Sequence, residues 1–213
     1  MQDSKKINFT NFTDFLKNAL NKPLPGRDAQ SIMMPVIHEL HLQYFKDEQE
    51  LEQAAVLIIL FPENEKIKTV FIERTPDPGP HSGQIAFPGG RKEIYDKDLI
   101  QTALREAEEE VGVRLYRGNV IGNLTPIEIP VSGFSVLPVI AVLNQKPDFN
   151  VCYEEVNDIF IVDLPELFKN KDYRTVPARG IKIETPCYIF DNTIVWGATA
   201  MVLSEFEKLI EKL

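Results

Sequence analysis

Residues 105–113 read Arg-Glu-Ala-Glu-Glu-Glu-Val-Gly-Val, and this stretch decides the fold predicted for the chain. It closes the most clearly patterned helix of the sequence. That helix is predicted to begin at the N-cap Asp98, with Gln101 three residues later completing a capping box. Gly112 supplies the stop at its C-terminal end. The apolar face of the helix consists of Ile100, Leu104, Ala107 and Val111.

Three glutamates of this helix form a cluster of carboxylates. Glu106, Glu109 and Glu110 are spaced i, i+3, i+4 and share one side, which is predicted to turn away from the apolar face. Carboxylates so close repel one another, and a hard divalent cation such as Mg²⁺ or Mn²⁺ relieves the repulsion. Since Mg²⁺ typically also binds substrate phosphates, the cluster predicts a substrate that contains phosphate.

A solvated acidic face is the plain alternative, and for three glutamates on a helix it is the usual one. The surroundings favour a metal site, because Arg105 precedes the acids, Gly112 follows them and a Gly-Gly pair lies upstream. An Arg-Glu-x-x-Glu-Glu-x-Gly string arises by chance at about one start position in a million, given average residue usage. That rarity favours a bound cation.

The segment 90–113 resembles the Nudix box, Gly-x5-Glu-x7-Arg-Glu-U-x-Glu-Glu-x-Gly-U, in which U is a bulky aliphatic residue. Two positions depart from the pattern. Lys97 stands where the family has glutamate, and Gly90 lies one residue further from Arg105 than the pattern requires. The candidates for the missing acid are Asp96 and Glu93. The matching positions are Arg105, Glu106, Glu109, Glu110, Gly112 and Val113.

The resemblance implies the Nudix α/β/α sandwich around a mixed β-sheet, with a catalytic loop-helix-loop that binds Mg²⁺ or Mn²⁺. By position, it makes Arg105 the residue that orients the glutamates. The implied metal ligands are Glu106, Glu109, Glu110 and the carbonyl of Gly90. Either Glu109 or Glu155, an acid outside the box, would take the proton of the attacking water. The plain alternative for Glu155 is a polar entrance to a strand.

A second resemblance concerns the substrate. Residues 71–90 resemble the signature of the coenzyme A diphosphatase subfamily, roughly Leu-Leu-Thr-x-Arg-Ser-x3-Arg-x3-Gly-x3-Phe-Pro-Gly-Gly. Thr75 replaces the serine, and Gly79 stands where the second arginine belongs. The predicted substrate-binding residues are Arg74, Gly83, Gln84, Phe87, Pro88, Gly89 and Arg91. For the two arginines, the plain alternative is a solvated charge at a strand end or in a loop.

Together, the resemblances imply hydrolysis of coenzyme A or acyl-CoA to 3′,5′-ADP and 4′-phosphopantetheine or its acyl form. ADP-ribose or another nucleoside diphosphate derivative is the alternative substrate. A catalytically silent Nudix-fold module that binds a metabolite is the alternative outside the enzymes, and the presence of all three box glutamates disfavours it. The expected partner is a small molecule, and a homodimer is compatible with the resemblance.

Composition bounds the remaining possibilities. The 213 residues fit a single domain, with a helical extension expected over residues 1–35 and the Nudix domain over 36–213. A net charge of −9 argues against nucleic-acid binding. The longest apolar run, Ala54 to Phe61, has 8 residues, whereas a membrane helix needs about 20. The N-terminus also lacks an apolar secretory signal, so we expect a cytoplasmic protein that contacts no membrane.

The periodicity of the other segments predicts a mixed order of strands and helices, which suits a mixed sheet covered by helices. Helices are expected at residues 8–21, near 165–169 and at 198–213. Strands are expected at 53–61, 68–74, 84–87, 118–128, 133–143, 156–164, 181–190 and 193–196.

Overall fold

A computed structural model describes residues 8–35, 51–75, 83–130, 132–178 and 181–211. The helices in these ranges are α1 (Phe9–Leu20), α2 (Gly26–Ser31), α3 (Leu99–Val111), α4 (Leu164–Leu167) and α5 (Gly197–Ile210). The first, the central and the last helix confirm the sequence pattern to within a few residues. Among the described helices, none has both the length and the apolar character needed to cross a bilayer.

The strands divide between two sheets. They are β1 (Glu52–Glu63), β2 (Lys66–Arg74), β3 (Ile85–Ala86), β4 (Gly89–Arg91), β5 (Val120–Asn123), β6 (Ile127–Ile129), β7 (Phe134–Val142), β8 (Val156–Asp163), β9 (Lys171–Ala178), β10 (Ile181–Phe190) and β11 (Thr193–Val195). The first eight strands form a mixed sheet, and the last three form an antiparallel sheet in the order β11-β10-β9.

Strand β1 lies at the centre of the larger sheet. It pairs in parallel with β7, and its two ends pair antiparallel with β4 and β2. A strand flanked in this way is covered on both faces, which explains the nearly continuous apolar run of its sequence. Strands β3 and β8 extend the sheet beyond β2, while β5 and β6 pair with β7.

Alternate residues of β1 face two different cores. On one face, Leu57 packs in a cluster with Ala107 of α3. On the other face, Ile58 packs in a cluster with Phe12 of α1 and Phe206 of α5. Helices therefore cover both faces of the sheet, and the predicted α/β/α sandwich is confirmed.

The structure corrects the expected strands in three places, one of which is β4, since no strand is expected at residues 89–91. Residues 118–128 are expected as one strand, but they form β5 and β6 with a break at 124–126. Pro126 has no N–H, and the N–H of Thr125 donates to Glu205 of α5 at 3.2 Å rather than to a neighbouring strand. The sequence also misses β9, because this edge strand is mostly exposed and shows no alternation of apolar residues.

Candidate active site

Helix α3 begins and ends where the sequence predicts. The Asp98 carboxylate accepts a hydrogen bond from the N–H of Gln101 at 2.9 Å. The Gln101 side chain accepts in turn from the N–H of Lys97 at 3.1 Å, one residue before the position that a capping box requires. Gly112 ends the helix with φ 69°, and a Cβ there would lie 2.5 Å from the carbonyl oxygen of Asn150.

The segment 150–155 packs against the C-terminal end of α3. Two of its N–H groups donate to carbonyls that the last turn of the helix would otherwise leave unpaired. These bonds join Asn150 N to Val111 O and Cys152 N to Glu110 O, both at 3.0 Å. The Thr75 hydroxyl donates to the Glu155 carbonyl at 2.8 Å. Glu155 is thereby held beside the carboxylates of α3.

Glu110 is buried, which corrects the expectation that all three glutamates turn away from the core. Its residue is only 4% exposed, because β4 packs over this side of the helix. One carboxylate oxygen accepts from the N–H of Gly89 at 2.8 Å, and the other lies 3.9 Å from the Arg74 guanidinium. Burial, opposed by these two donors and reinforced by the charges of Glu106 and Glu155, raises the pKa of Glu110 to about 8.

The other two glutamates differ in their exposure. The Glu106 side chain is 14% exposed, and burial raises the pKa of its carboxyl despite the neighbouring Arg105. The Glu109 side chain is 49% exposed. One guanidinium nitrogen, Nη1 of Arg105, contacts both, at 2.8 Å from Glu106 and 2.7 Å from Glu109. Arg105 therefore bridges these two carboxylates, and its role in orienting them stays a prediction.

The acid that replaces the glutamate missing at Lys97 is Asp96. Its carboxylate accepts two hydrogen bonds from Arg105, at 3.2 Å from Nε and 3.0 Å from Nη2. Thr102 and the N–H of Glu93 also donate to it, and its side chain is fully buried. Burial alone would raise the pKa of Asp96, but these hydrogen bonds outweigh it and hold that pKa below its usual range.

Replacing Asp96 with Asn should lower kcat about tenfold, since residues that orient metal ligands typically contribute 10- to 100-fold. It should also lower the free energy of unfolding by about 3 kcal/mol, because Arg105 loses its buried partner. Kinetics and urea unfolding measure both effects. The matched control is Glu93→Gln, whose exposed side chain leaves the Arg105 pairing intact. Equal losses in the two variants would contradict the assignment of Asp96.

Gly90 leaves room for the Glu106 carboxylate. A Cβ at this position would lie 2.6 Å from all three atoms of that carboxyl group. We expect Gly90→Ala to displace Glu106 and to weaken Mn²⁺ binding at least about tenfold, as measured by calorimetry. Gly118→Ala is the control, since a Cβ there meets nothing within 4 Å. Native Mn²⁺ affinity in Gly90→Ala would show that this space is not needed.

The residues fit a divalent cation by their chemistry. Within the described ranges no group of three His, Cys, Asp or Glu side chains is arranged to hold a metal ion. In place of a metal ion, Nη1 of Arg105 forms ion pairs with both Glu106 and Glu109. The half-buried Glu106 and the buried Glu110 nevertheless lie close enough to repel each other, both with raised pKa values, and the Glu106 carboxylate reaches this place because Gly90 has no side chain. Oxygen donors of this kind suit Mg²⁺ or Mn²⁺.

A cleft of about 320 Å³ borders the glycine pair of β4. The predicted substrate-binding residues that line it are Arg74, Gln84, Phe87, Gly89 and Arg91, and Gly90 lines it as well. Pro88 is buried, and its carbonyl accepts from the N–H of Leu57 at 2.7 Å. Gly83 is exposed, with φ 64°. Gly79 lies outside the described residues.

The sequence misses the apolar walls of this cleft. They come from β6, from β7 and from the N-terminal turns of α5, and they include Ile127, Ile129, Phe134, Val136, Ala198 and Val202. Arg91 stands at the edge of these walls. Its guanidinium pairs with Glu52 at 2.8 Å and lies 5.4 Å from the centre of the Phe134 ring. The apolar spacing of β6 and α5 is the only signal the sequence carries for them.

Comparisons with known proteins agree with this geometry. The family model for the NUDIX domain matches residues 51–179. A protein of Pectobacterium atrosepticum named "Uncharacterized Nudix hydrolase NudL" is 35% identical over 157 residues, covering 72% of this chain and 80% of the relative. The protein of the same name from Yersinia pestis is 32% identical over 166 residues, covering 76% and 81%.

Solved structures show the same fold. A MutT/nudix family protein from Enterococcus faecalis matches with a TM-score of 0.55 at 12% identity, covering 96% of this chain and 75% of that one. The MutT protein from Methanosarcina mazei Go1 matches with a TM-score of 0.52 at 16% identity, covering 78% and 98%. Nudix hydrolases generally use divalent metal ions. The chain belongs to the Nudix family and is a pyrophosphohydrolase that acts on nucleoside diphosphate derivatives.

Proposed function

We propose that this Nudix hydrolase cleaves the diphosphate of coenzyme A or acyl-CoA, giving 3′,5′-ADP and 4′-phosphopantetheine or its acyl form. The observation that supports this substrate is the signature over residues 71–90. Its Arg74 and its Gly89-Gly90 pair border both the cleft and the buried carboxylates. Arg74 and the glycine pair thus lie next to the catalytic helix. The cleft receives the part of the substrate beyond the diphosphate.

Mg²⁺ or Mn²⁺ would be held by Glu106, Glu109, Glu110 and the Gly90 carbonyl. When bound, the ion neutralises the diphosphate oxygens and activates a water molecule. Arg105, anchored by Asp96, keeps two of these glutamates in place.

Arg74 stands at the opening of the cleft, 3.9 Å from Glu110 and with its side chain 41% exposed. We propose that its guanidinium binds a substrate phosphate, since arginine presents a planar array of donors suited to that group. The apolar walls of the cleft then exclude water from the uncharged part of the substrate.

We further propose Glu155 as the general base. Of the two candidates, Glu109 is paired with Arg105 at 2.7 Å, so its carboxylate is already engaged in an ion pair. Glu155 is exposed, and its charge acts on both Glu106 and Glu110, so it lies beside the reacting centre. A carboxylate in that place can accept the proton of the attacking water.

A substrate panel tests the proposed function. Purified protein with Mg²⁺ or Mn²⁺ is given coenzyme A, dephospho-coenzyme A, ADP-ribose, NADH and nucleoside triphosphates, and the products are resolved by chromatography. We expect the highest kcat/KM with coenzyme A and the release of 3′,5′-ADP. A higher value with ADP-ribose would overturn the proposed substrate, and inactivity on the whole panel would favour a metabolite-binding module.

Four further proposals accompany this function. Residues 1–35 would be an extension of the Nudix domain, because Phe12 and Leu16 share one core cluster with Ile58 of β1. The ion would be Mg²⁺ or Mn²⁺, and the compartment the cytoplasm. A homodimer is compatible with the fold, and size-exclusion chromatography with light scattering decides it.

A further inference from the structure

Glu205 of α5 is a fully buried carboxylate whose hydrogen-bond donors come from two other segments of the chain. From the N-terminal segment, Gly26 N donates at 3.1 Å and Gln30 Nε2 at 2.8 Å. From the segment before β6, Thr125 donates twice, at 3.2 Å from its N–H and 2.7 Å from its hydroxyl. All four donors are neutral groups, so hydrogen bonds alone compensate the burial of this carboxylate.

The two elements joined through Thr125 and Glu205 both line the cleft. Helix α5 contributes Val202, which lies one turn before Glu205 on the same side of the helix. Strand β6 contributes Ile127, two residues after Thr125. The Glu205 carboxylate therefore connects α5 and β6 within a few residues of the side chains that line the cleft.

This connection is specific in its geometry. Hydrogen bonds to a carboxylate restrict both distance and angle, whereas apolar side chains at the same place would allow the walls to slide. Gln30 adds a second bond from the same amide nitrogen to the Thr125 carbonyl at 3.0 Å. The separation of α5 and β6 is thus fixed at a point remote from the catalytic glutamates of α3.

We propose that Glu205 is a positioning residue that sets the width of the cleft and thereby the affinity for the substrate. The proposal rests on the proposed function in one respect, namely that the cleft holds the part of the substrate beyond the diphosphate. Because the hydrogen bonds of this network reach none of the α3 glutamates among the described residues, the network acts on KM and leaves kcat unchanged.

The test variant is Thr125→Val, which removes the 2.7 Å bond while keeping the size of the side chain. Losing a hydrogen bond to a charged group should raise KM about tenfold, with kcat unchanged. Thr125→Ser keeps the hydroxyl and should restore KM. The substrate is whichever of coenzyme A and ADP-ribose the protein cleaves faster.

Ser204→Ala is the matched control. The Ser204 hydroxyl donates to the Ala29 carbonyl at 2.7 Å, so it also ties α5 to the N-terminal segment but does not reach β6. Thermal unfolding should show a lower Tm in both variants, whereas only Thr125→Val should change KM. An unchanged KM in Thr125→Val, or an equal rise in Ser204→Ala, would overturn the proposal.

A measurement without substrate separates this proposal from the proposed function. Hydrogen exchange at the amides of Ile127 and Ile129 should become faster in Thr125→Val and stay native in Ser204→Ala. If the protein cleaves neither compound but the exchange changes as expected, the proposed function fails and the role of the network in fixing the wall stands. Native exchange in Thr125→Val overturns that role.

Discussion

Replacing Glu110 with Gln is expected to lower kcat by about three orders of magnitude, since a metal ion contributes several kcal/mol to the transition state and each 1.4 kcal/mol is tenfold in rate. The fold should survive, because the glutamine oxygen can still accept from the N–H of Gly89, which bonds Glu110 at 2.8 Å. Steady-state kinetics and circular dichroism measure the two effects.

The matched control for Glu110→Gln is Glu108→Gln. Glu108 lies on the same helix but pairs with Arg114, and its side chain is 42% exposed. Activity should stay native in the control. Full activity in Glu110→Gln, or its failure to fold, would contradict the assignment of Glu110 as a metal ligand.

The same substitution has a pH dependence in metal-free buffer. Folding raises the pKa of Glu110 from 4.5 to about 8, mainly through burial. The stability gained from the protonated carboxyl is therefore fully present below pH 4.5 and is lost as the pH rises towards 8. Glutamine does not titrate. In urea unfolding with a chelator present, the free energy of unfolding of Glu110→Gln should therefore rise relative to that of the native chain as the pH increases between these values.

Replacing Glu155 with Gln is expected to lower kcat by about two orders of magnitude, the contribution typical of a general base. Stability should change little, because the backbone carbonyl of Glu155 accepts the Thr75 hydrogen bonds and remains in place.

Its neighbour Glu154 provides the control for Glu155→Gln. Both residues are exposed in the same segment, but only the charge of Glu155 acts on Glu106 and Glu110. Glu154→Gln should keep native kinetics. Native kinetics in Glu155→Gln as well would contradict its assignment as the general base.

Local sequence signals were sufficient for helix α3. Asp98 and Gly112 end the helix through their own backbone geometry, so both ends could be predicted from the sequence. The burial of Glu110 could not, because it depends on β4 crossing one side of the helix. The partner of Arg105 could not be predicted either. Asp96 and Glu93 stand in the same short loop, and only the conformation of that loop decides which of them contacts Arg105.

The cleft, too, could be predicted from the sequence only in part, because some of its walls come from distant segments of the chain. Its glycine pair and Arg74 stand in a recognisable signature, whereas the walls come from β6 and α5, far apart in the chain. At the break before β6, the N–H of Thr125 donates to Glu205, 80 residues later. Periodicity within a segment carries no information about such a partner.

The position of α5 in the chain has an evolutionary consequence. The NUDIX match ends at residue 179, and α5 begins at Gly197, so one wall of the cleft lies outside the segment that defines the family. The box glutamates and this wall are then encoded in separate stretches of the gene. A substitution in the C-terminal helix can therefore reshape one wall of the cleft while every box glutamate stays in place.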